Sequence, residues 1–259
     1  MLMVVLSVFC LFPVYWMIVT SFRPANSIFE TSLWPSAASL DNYVYALDAI
    51  PIGRMLVNTL LVSALVTVAQ LLTGLLAAYA FARWRFPFDK IIYTLIALTW
   101  LVPFQVVMIP NYLLVANLGL LDSLAALILP HFAGALAVLL LAQAMRSFPK
   151  EVIEAARMDG ARSWRILWEV LTPNLRGTIA SLAILIFIST WNEYFWPLLL
   201  SRTPENSVVQ IGIQMFMTSE GTAWAPLMAA ATLASLPILA IYVLLQQQVI
   251  QSFTKSGIR

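Results

Sequence analysis

Residues 151–175 read EVIEAARMDGARSWRILWEVLTPNL and concentrate charge in a chain that otherwise has little of it. Charged residues make up 10% of the sequence and hydrophobic residues 61%, and the mean hydropathy is +0.88. Because soluble domains carry roughly 25% charged residues, this composition indicates an integral membrane protein. The charged stretch is therefore predicted to lie outside the lipid, between two membrane spans.

Six stretches are long and apolar enough to cross a bilayer, which takes about 20 mostly apolar residues. Pro103 and Pro110 in the third stretch and Pro130 in the fourth are predicted to mark bends or breaks. The first stretch lacks a basic head and is longer than the signal-peptide core of about 7–15 residues, so we expect a spanning helix there. The predicted fold is all-α, one transmembrane domain over residues 1–259. The predicted spans are, approximately, residues 2–21, 55–82, 91–114, 124–145, 178–200 and 225–246.

The distribution of lysine and arginine predicts how the chain is oriented in the membrane. Loops on one side of the predicted spans carry eleven basic residues, and loops on the other side carry three. Since basic residues accumulate in cytoplasmic loops, the richer side is predicted to face the cytoplasm, together with both chain termini. The richer set is Arg83, Arg85, Lys90, Arg146, Lys150, Arg157, Arg162, Arg165, Arg176, Lys255 and Arg259, against Arg23, Arg54 and Arg202.

The charged stretch then belongs to a cytoplasmic loop, residues 146–177, that carries the signals of a helical hairpin. Pro149 suits the first turn of a helix. Gly160 suits the left-handed residue that ends one. We therefore predict a short helix that ends in a tight turn at residues 159–161.

A second short helix is predicted after that turn. Ser163 can cap a helix over residues 164–171, and Thr172-Pro173 is predicted to interrupt it before the fifth span. Apolar packing of the hairpin is assigned to Ile153, Ile166, Leu167 and Val170.

The surface of the predicted hairpin is suited to docking a soluble partner. Ala155 and Ala156 remove side-chain bulk, so that another backbone can approach closely, and Glu154, Arg157 and Asp159 surround them with charge. An amphipathic loop lying on the lipid headgroups explains the same pattern. Both interpretations remain open from the residues alone.

The segment EAARMDGA at residues 154–161, followed by Val170 and Pro173, resembles the EAA loop in the membrane subunits of ATP-binding-cassette importers. That loop reads E-A-A, three residues, G, nine residues, then I-x-L-P. Val170 stands at the isoleucine position, and Thr172 replaces the leucine, a mild change in local packing. In that family the hairpin docks in a cleft of the cytoplasmic ATPase and transmits its closure to the membrane helices. The resemblance implies this coupling role for Glu154, Ala155, Ala156, Arg157, Asp159, Gly160 and Ala161.

Other parts of the chain resemble the permeases of carbohydrate importers: the paired-proline third span, WNEYFWPLLL at residues 191–200 and the ending at residues 246–257. The subgroup that imports disaccharides, oligosaccharides and glycerol-3-phosphate compounds fits best. The resemblance implies a multi-pass protein of the bacterial inner membrane. Its implied partners are a second homologous permease, two cytoplasmic ATP-binding subunits and an extracytoplasmic solute-binding protein.

The chain itself is predicted to be neither the ATPase nor any other enzyme. It has no G-x-x-x-x-G-K-[ST] loop, so ATP and Mg are expected on the partner ATPase subunits and no cofactor on this chain. One cysteine and one histidine also argue against a metal site. We expect the chain to be surrounded by membrane lipid and to bind no nucleic acid.

Glu193 is the acidic residue that falls well inside a predicted span, and such a charge is by default a functional hypothesis. Its neighbours offer aromatic faces and an amide, as a polyol pocket would. Asn192, Glu193 and Trp196 can share one helix face. Interfacial anchoring of the aromatic residues and packing against a partner helix remain open alternatives. The predicted substrate pathway comprises Asn192, Glu193, Tyr194, Trp196, His131 and Gln105.

His131 follows Pro130 and either contacts substrate or packs in the interior. Gln105 lies near the prolines of the third span and is predicted to line the pathway. The outer loop, residues 204–226, contains Gln210 and either returns toward the pathway or meets a binding protein.

Two other functions remain open at this point. An ion-coupled secondary transporter would need ionisable groups within the membrane, for which Glu193 and His131 are the candidates. A membrane scaffold that docks a soluble partner is the second. Among importers, a neutral sugar is favoured over glycerol-3-phosphate or a glycerophosphodiester, because no lysine or arginine is predicted in the pathway, although a partner permease can supply one.

Overall fold

The computed structural model describes residues 2–24, 27–28, 30–35, 37–218 and 221–256, with side chains described except at 2, 218 and 244–256. Arg259 of the predicted cytoplasmic set and Gly257 of the C-terminal motif lie outside the described residues.

Nearly all the described secondary structure is helical, as expected for an all-α membrane protein. The first five helices are α1 (Leu2–Ser21), α2 (Asp41–Ala49), α3 (Ile52–Arg83), α4 (Asp89–Leu101) and α5 (Phe104–Asn117). The next are α6 (Leu124–Ile128), which continues as a 3₁₀ turn (Leu129–His131), α7 (Ala135–Arg146) and α8 (Lys150–Met158). They are followed by α9 (Ser163–Arg165), a π-helical segment (Ile166–Leu171), α10 (Thr172–Asn174) and α11 (Arg176–Trp191). The last elements are α12 (Phe195–Leu200), a 3₁₀ turn (Pro204–Asn206), α13 (Val209–Gln214), the antiparallel pair β1 (Met217–Thr218) and β2 (Gly221–Thr222), and α14 (Trp224–Ser256).

Three described helical stretches are continuous and apolar enough to cross a bilayer alone: Met3–Ser21, Ile52–Arg83 and Trp224–Val243. Three bent pairs qualify when each is counted as one span: Asp89–Leu101 with Phe104–Asn117 (100°), Leu124–His131 with Ala135–Arg146 (41°) and Ser163–Asn174 with Arg176–Trp191 (79°). The prediction of an all-α membrane protein is confirmed. The count of six spans stays a prediction.

Prolines lie at two of the breaks in the predicted spans, although other prolines lie inside continuous helices. Pro103 lies at the break between α4 and α5, as predicted, whereas Pro110 lies inside α5, which continues through it. The predicted fifth span, residues 178–200, is not one helix, since α11 ends at Trp191 and α12 begins at Phe195. Pro197 explains this break, because a proline has no amide hydrogen and its ring would clash with the carbonyl of residue 193 in a continuous helix.

The chain divides into two compact units. The first comprises Met1–Leu61, Asp122–Leu124 and Asn192–Ile241, and the second comprises Val62–Leu121, Ala125–Trp191 and Tyr242–Arg259.

In the first unit, the segment between α1 and α2 folds around the fully buried Arg23. Its guanidinium group donates to the carbonyl oxygens of Glu30 and Ser32 and lies 4.6 Å from the ring centroid of Trp16. The amide of Asn42 in turn donates to the carbonyl of Arg23 at 2.7 Å. A buried charge is costly unless such partners surround it, so this arginine organises the segment.

The first unit also holds the segment after α12 in place through three hydrogen bonds made by two polar side chains. Asn58 donates to the carbonyls of Glu205 and Ser207, each at 2.9 Å, and the Thr59 hydroxyl accepts from the amide of Val209 at 2.9 Å. The start of the outer loop predicted at residues 204–226 is therefore held by hydrogen bonds at residues 205, 207 and 209.

The Asp122 side chain forms hydrogen bonds with residues 202–206, where that loop begins. Its carboxylate accepts from the amides of Arg202 (2.8 Å) and Thr203 (3.0 Å), from the Thr203 hydroxyl and from the Asn206 amide. The two backbone amides do most to lower the pKa of Asp122, to about 2. The carboxylate is thus ionised at neutral pH, as an acceptor of four hydrogen bonds should be.

In the second unit, α3 and α7 pack closely through small residues. A Cβ built on Gly74 would lie 2.9 Å from the Cβ of Ala137, so the two helices approach at a distance that only glycine allows. Small residues serve this purpose in membrane helix packing generally. Leu141, Ala142 and Met145 of α7 are fully buried.

Polar side chains of α3 satisfy the backbone where the predicted fourth span is broken. Gln70 donates to the carbonyl of His131 at 3.0 Å, and the Thr73 hydroxyl donates to that of Phe132 at 3.1 Å. A Cβ on Gly134 would lie 2.3 Å from the Gln70 side-chain oxygen, so the glycine makes room for this amide. Broken helices at membrane depth require such partners for the freed carbonyls.

Candidate functional site

The predicted turn at residues 159–161 is present, and its hydrogen bonds explain the glycine. Gly160 has φ +80°, and its amide donates to the carbonyl of Arg157 at 3.0 Å. The amide of Ala161 donates to the carbonyl of Ala156 at 2.9 Å. These two bonds are the Schellman pattern, which ends a helix with a left-handed residue. The sequence prediction for α8 and its turn is confirmed by this geometry.

The residues assigned to coupling lie on an accessible surface. Glu154, Ala155, Arg157, Asp159 and Gly160 are exposed, and Ala156 and Ala161 are half-buried. The apolar packing predicted beneath them is largely present, because Ile153, Ile166 and Leu167 are buried while Val170 is half-buried. The hairpin therefore has a fixed apolar base and a charged outer face.

The second limb of the hairpin differs from the predicted helix at residues 164–171. It begins at Ser163, continues through the π-helical segment and runs to Asn174, with a 79° bend before α11. Ser163 is its first residue and makes no side-chain capping bond. Thr172-Pro173 does not interrupt the helix, because the limb continues through Pro173 to Asn174. The bend follows at Leu175.

Two exposed apolar side chains on the hairpin were not predicted as functional. Met158 is 89% exposed at the end of α8, and Trp164 is 65% exposed at the start of the second limb. The Trp164 ring packs edge-on against Trp168, with 5.5 Å between the centroids. Both residues were visible in the sequence as apolar side chains within an otherwise polar turn.

Glu193 lies in the break between α11 and α12 and caps the second of these helices. Its carboxylate oxygen accepts from the amide of Trp196 at 3.2 Å, in the first turn of α12. Because Asn192 and Glu193 precede α12 while Trp196 lies within it, the predicted common helix face does not form. Discontinuous helices with polar groups at the break are the usual setting of transporter substrate sites.

The neighbours of Glu193 divide into buried and accessible groups. Trp196 is 1% exposed and serves packing, whereas Asn192 is exposed and Tyr194 half-buried. The Asn192 side-chain oxygen accepts from the amide of Gln210 at 3.4 Å, which brings one predicted residue of the outer loop to this break. The accessible Asn192 and Tyr194 thus fit solute contact, and the buried Trp196 fits packing, so both interpretations of residues 192–196 stay open.

His131 and Gln105 belong to the second unit. The half-buried His131 ring lies 5.5 Å from that of Phe104, the residue immediately before Gln105 in the first turn of α5. Gln105 itself is exposed. The described residues thus place His131 beside the start of α5, and they contain no cluster of three or more potential metal-binding side chains.

Gln70 is a residue of this region that sequence reasoning missed. It lies in the middle of a long apolar helix, and an amide in such a setting is a signal in itself, since polar groups within spans are costly. Its partners at residues 131 and 134 are some sixty positions away in the chain, so the sequence alone did not connect them.

Comparisons with known proteins agree with this description. Residues 70–255 match the family described as the binding-protein-dependent transport system inner membrane component. The sn-glycerol-3-phosphate transport system permease protein UgpE of Yersinia enterocolitica is 31% identical over 95% of this chain and 91% of its own length. The lactose transport system permease protein LacG of Rhizobium radiobacter is 28% identical, covering 95% and 90% respectively.

A solved structure shares the fold. A chain from the crystal structure of a bacterial ABC transporter involved in the import of the acidic polysaccharide alginate superposes with a TM-score of 0.84. The match covers 95% of this chain and 93% of that one, at 24% sequence identity. The matched family, the exposed glycine-terminated hairpin and the broken apolar helices lead to one conclusion: this chain belongs to the binding-protein-dependent transport system inner membrane components, the permease subunits of ABC importers.

Proposed function

We propose that this chain carries a sugar or a related polyol into the cell as one of the two permeases of an ATP-driven importer. The observation that supports this most strongly is the hairpin at residues 146–177, with an exposed EAA surface and the left-handed Gly160 at its turn. It is held on a buried apolar base, so a force applied to its surface reaches the membrane helices rather than bending a loose loop. The protein would span the bacterial inner membrane with both termini in the cytoplasm.

The proposed assembly follows from two features of this chain: its sequence has no ATP-binding loop motif, and its hairpin presents a surface on which an ATPase can dock. A second homologous permease would complete the pathway, two cytoplasmic ATPases would dock on the hairpins, and a solute-binding protein would deliver substrate outside. ATP and Mg would bind the ATPases. This chain would carry out no covalent step.

The mechanism we propose is alternating access. ATP binding closes the two ATPases, the hairpins move together and the pathway opens outward to receive the solute. Hydrolysis and release return the pathway to the inward state. The bend at Leu175, which joins the hairpin to α11 at 79°, is the proposed site where hairpin motion enters the membrane part of the chain.

Cross-linking tests the docking step directly. The native Cys10 is exposed, so it would first be replaced by serine, and Ala155→Cys would then place a thiol on the exposed hairpin surface. We expect a bifunctional maleimide to link position 155 to the ATPase and not to link a control thiol at the exposed Arg54. Cross-links from position 54 alone would contradict the proposed orientation.

A neutral sugar is the substrate class that the pathway residues favour. Asn192, Tyr194 and Gln105 offer hydrogen bonds and an aromatic face without a cation, and an anion would need a cationic partner in a low-dielectric site. The second candidate is sn-glycerol-3-phosphate, because that solute is named for the relative at 31% identity. In that case the second permease would supply the positive charge.

Uptake by the reconstituted transporter, with its binding protein, decides between these classes. We expect ATP-dependent uptake of a labelled neutral disaccharide to exceed that of labelled sn-glycerol-3-phosphate. The reverse order would overturn the neutral-sugar proposal and leave the importer proposal intact. Uptake driven by an ion gradient in vesicles without ATP would instead favour a secondary transporter.

A further inference from the structure

A cleft of about 730 Å³ lies within the second unit and carries an excess of positive charge; the hairpin lines part of it, including Glu154 and Arg157 of the coupling surface. It is formed by the end of α3, the start of α4, the end of α7 and α8. Six cations and two carboxylates line it, which leaves a net charge of +4. The cations are Arg83, Arg85, Lys90, Arg146, Lys150 and Arg157.

Two of these cations are held in place by backbone groups. Arg83 donates to the carbonyl of Met145 at 2.9 Å, and Arg146 donates to that of Phe81 at 3.4 Å. The Arg146 guanidinium also lies 4.4 Å from the ring centroid of Tyr93. These contacts fix the floor of the cleft without neutralising its charge.

The side chains of the other four cations, Arg85, Lys90, Lys150 and Arg157, have no carboxylate or hydrogen-bond partner within the described part of the chain. The ion pair found among the described residues is Arg165 with Glu169, on the second limb of the hairpin. Of the two carboxylates in the cleft, Asp89 is engaged at the start of α4, where it accepts from the amide of Lys90 at 2.6 Å. Converging cations without partners repel one another and are stabilised by a bound anion.

The side chains at the rim of the cleft indicate which kind of molecule supplies the anionic group. Trp84 and Phe88 are exposed beside it, and tryptophan is enriched at the boundary between lipid and water. From Thr94 of the cleft, an exposed apolar row runs along the same face of α4 through Leu98 to Leu101, at spacings of four and three residues. At 1.5 Å per residue this row is about 10 Å long, a path for an acyl chain that starts at the cations.

We propose that this cleft binds the phosphate group of an anionic phospholipid, whose acyl chains lie along the exposed face of α4. Basic pockets between membrane helices on the cytoplasmic side commonly bind such headgroups. A soluble acidic partner would neutralise the same cations but would leave the aromatic rim and the apolar row in water. The inference rests on the cleft itself and not on the transported solute.

Titration of phosphatidylglycerol into the purified complex, followed by native mass spectrometry, tests the site. The variant Arg85→Gln with Lys90→Gln removes two exposed cations whose side chains make no hydrogen bond or ion pair within the described part of the chain. Since each basic group near an anionic lipid contributes about fivefold in binding, the pair should weaken phosphatidylglycerol binding about thirtyfold. The exchange Arg85→Lys with Lys90→Arg keeps the charge and should keep the binding.

The matched control removes the same charge outside the cleft. Arg162 and Arg176 are exposed and do not line it, so Arg162→Gln with Arg176→Gln should leave phosphatidylglycerol binding near the wild-type value. Equal losses in the two double variants would show a general attraction to anionic lipid and would overturn the site.

Two further arms distinguish the sources of the anion. In phosphatidylcholine nanodiscs, inorganic phosphate should bind far more weakly than phosphatidylglycerol does; equal binding would make the site one for a free anion and overturn the lipid assignment. A zero-length carbodiimide should not join Lys90 to the ATPase when phosphatidylglycerol is present. A strong cross-link there would identify an acidic protein segment as the occupant and contradict the proposal.

Discussion

Replacement of Gly160 separates the backbone requirement of the hairpin turn from its docking role. Gly160 has φ +80°, and a Cβ built on it meets nothing within 4 Å, so alanine would clash with no part of the described chain. The cost of Gly160→Ala is therefore the left-handed backbone conformation alone, about 1–2 kcal/mol. Asparagine visits this conformation more readily, so Gly160→Asn should cost less although its side chain is larger.

Hydrogen–deuterium exchange measures this cost where it arises. The amides of Gly160 and Ala161 make the two bonds that close the turn. Destabilising the turn by about 1–2 kcal/mol raises the population of its open state about five- to thirtyfold, and exchange of these amides should rise by the same factor. Met158→Ala is the control, because Met158 is 89% exposed and its side chain takes no part in the turn.

Uptake by the same variants then tests docking. If the glycine is needed for its backbone alone, uptake should follow the exchange data, with asparagine above alanine. If the ATPase cleft also needs the missing side chain, asparagine should transport least while exchanging little. Wild-type exchange in Gly160→Ala would refute the reasoning, since the left-handed conformation would then carry no cost.

Three further predictions concern polar side chains within or beside the membrane. Gln70→Leu leaves the His131 carbonyl without its donor and should lower the free energy of unfolding by about 1–3 kcal/mol, read as a lower midpoint of thermal unfolding; an unchanged midpoint would contradict the role of this amide at the break. Asp122→Ala should make residues 201–207 more sensitive to limited proteolysis. Because the pKa of Asp122 is lowered to about 2, its contribution is present above the ordinary pKa of 3.8 and is lost only as the pH falls through 2, so wild-type protection should be constant from neutral pH down to about 4. Glu193→Gln keeps an oxygen to cap α12, so a change in the KM for the solute would indicate contact with it, and wild-type kinetics would leave Glu193 as a cap alone.

Local chemistry in the sequence was sufficient to predict the hairpin turn. A helix end with Asp159-Gly160-Ala161 has few conformations available, because glycine is the residue that readily adopts a positive φ. The composition was likewise sufficient for an all-α membrane protein. The break in the predicted fifth span was also present in the sequence, at Pro197 and the polar pair Asn192-Glu193, but the apolar residues on both sides favoured a single span.

Features that depend on contacts between distant parts of the chain were not predictable in this way. Gln70 supports the break near Gly134, and Asn58 fixes the backbone near Ser207, across separations that no local pattern records. The basic cleft is a third example. Its cations were counted in the sequence as a sign of orientation, but their convergence follows from how α3, α4, α7 and α8 pack.

The most direct test of the central claim is transport in proteoliposomes that contain this chain with the subunits that accompany it in a mild-detergent purification. We expect a second permease and an ATPase to be recovered, and uptake to require ATP inside the compartment where the hairpin lies together with the solute-binding protein outside. Gly160→Val should abolish uptake while the protein stays inserted in the membrane. Recovery of this chain alone, with full uptake in the absence of ATP, would contradict the account.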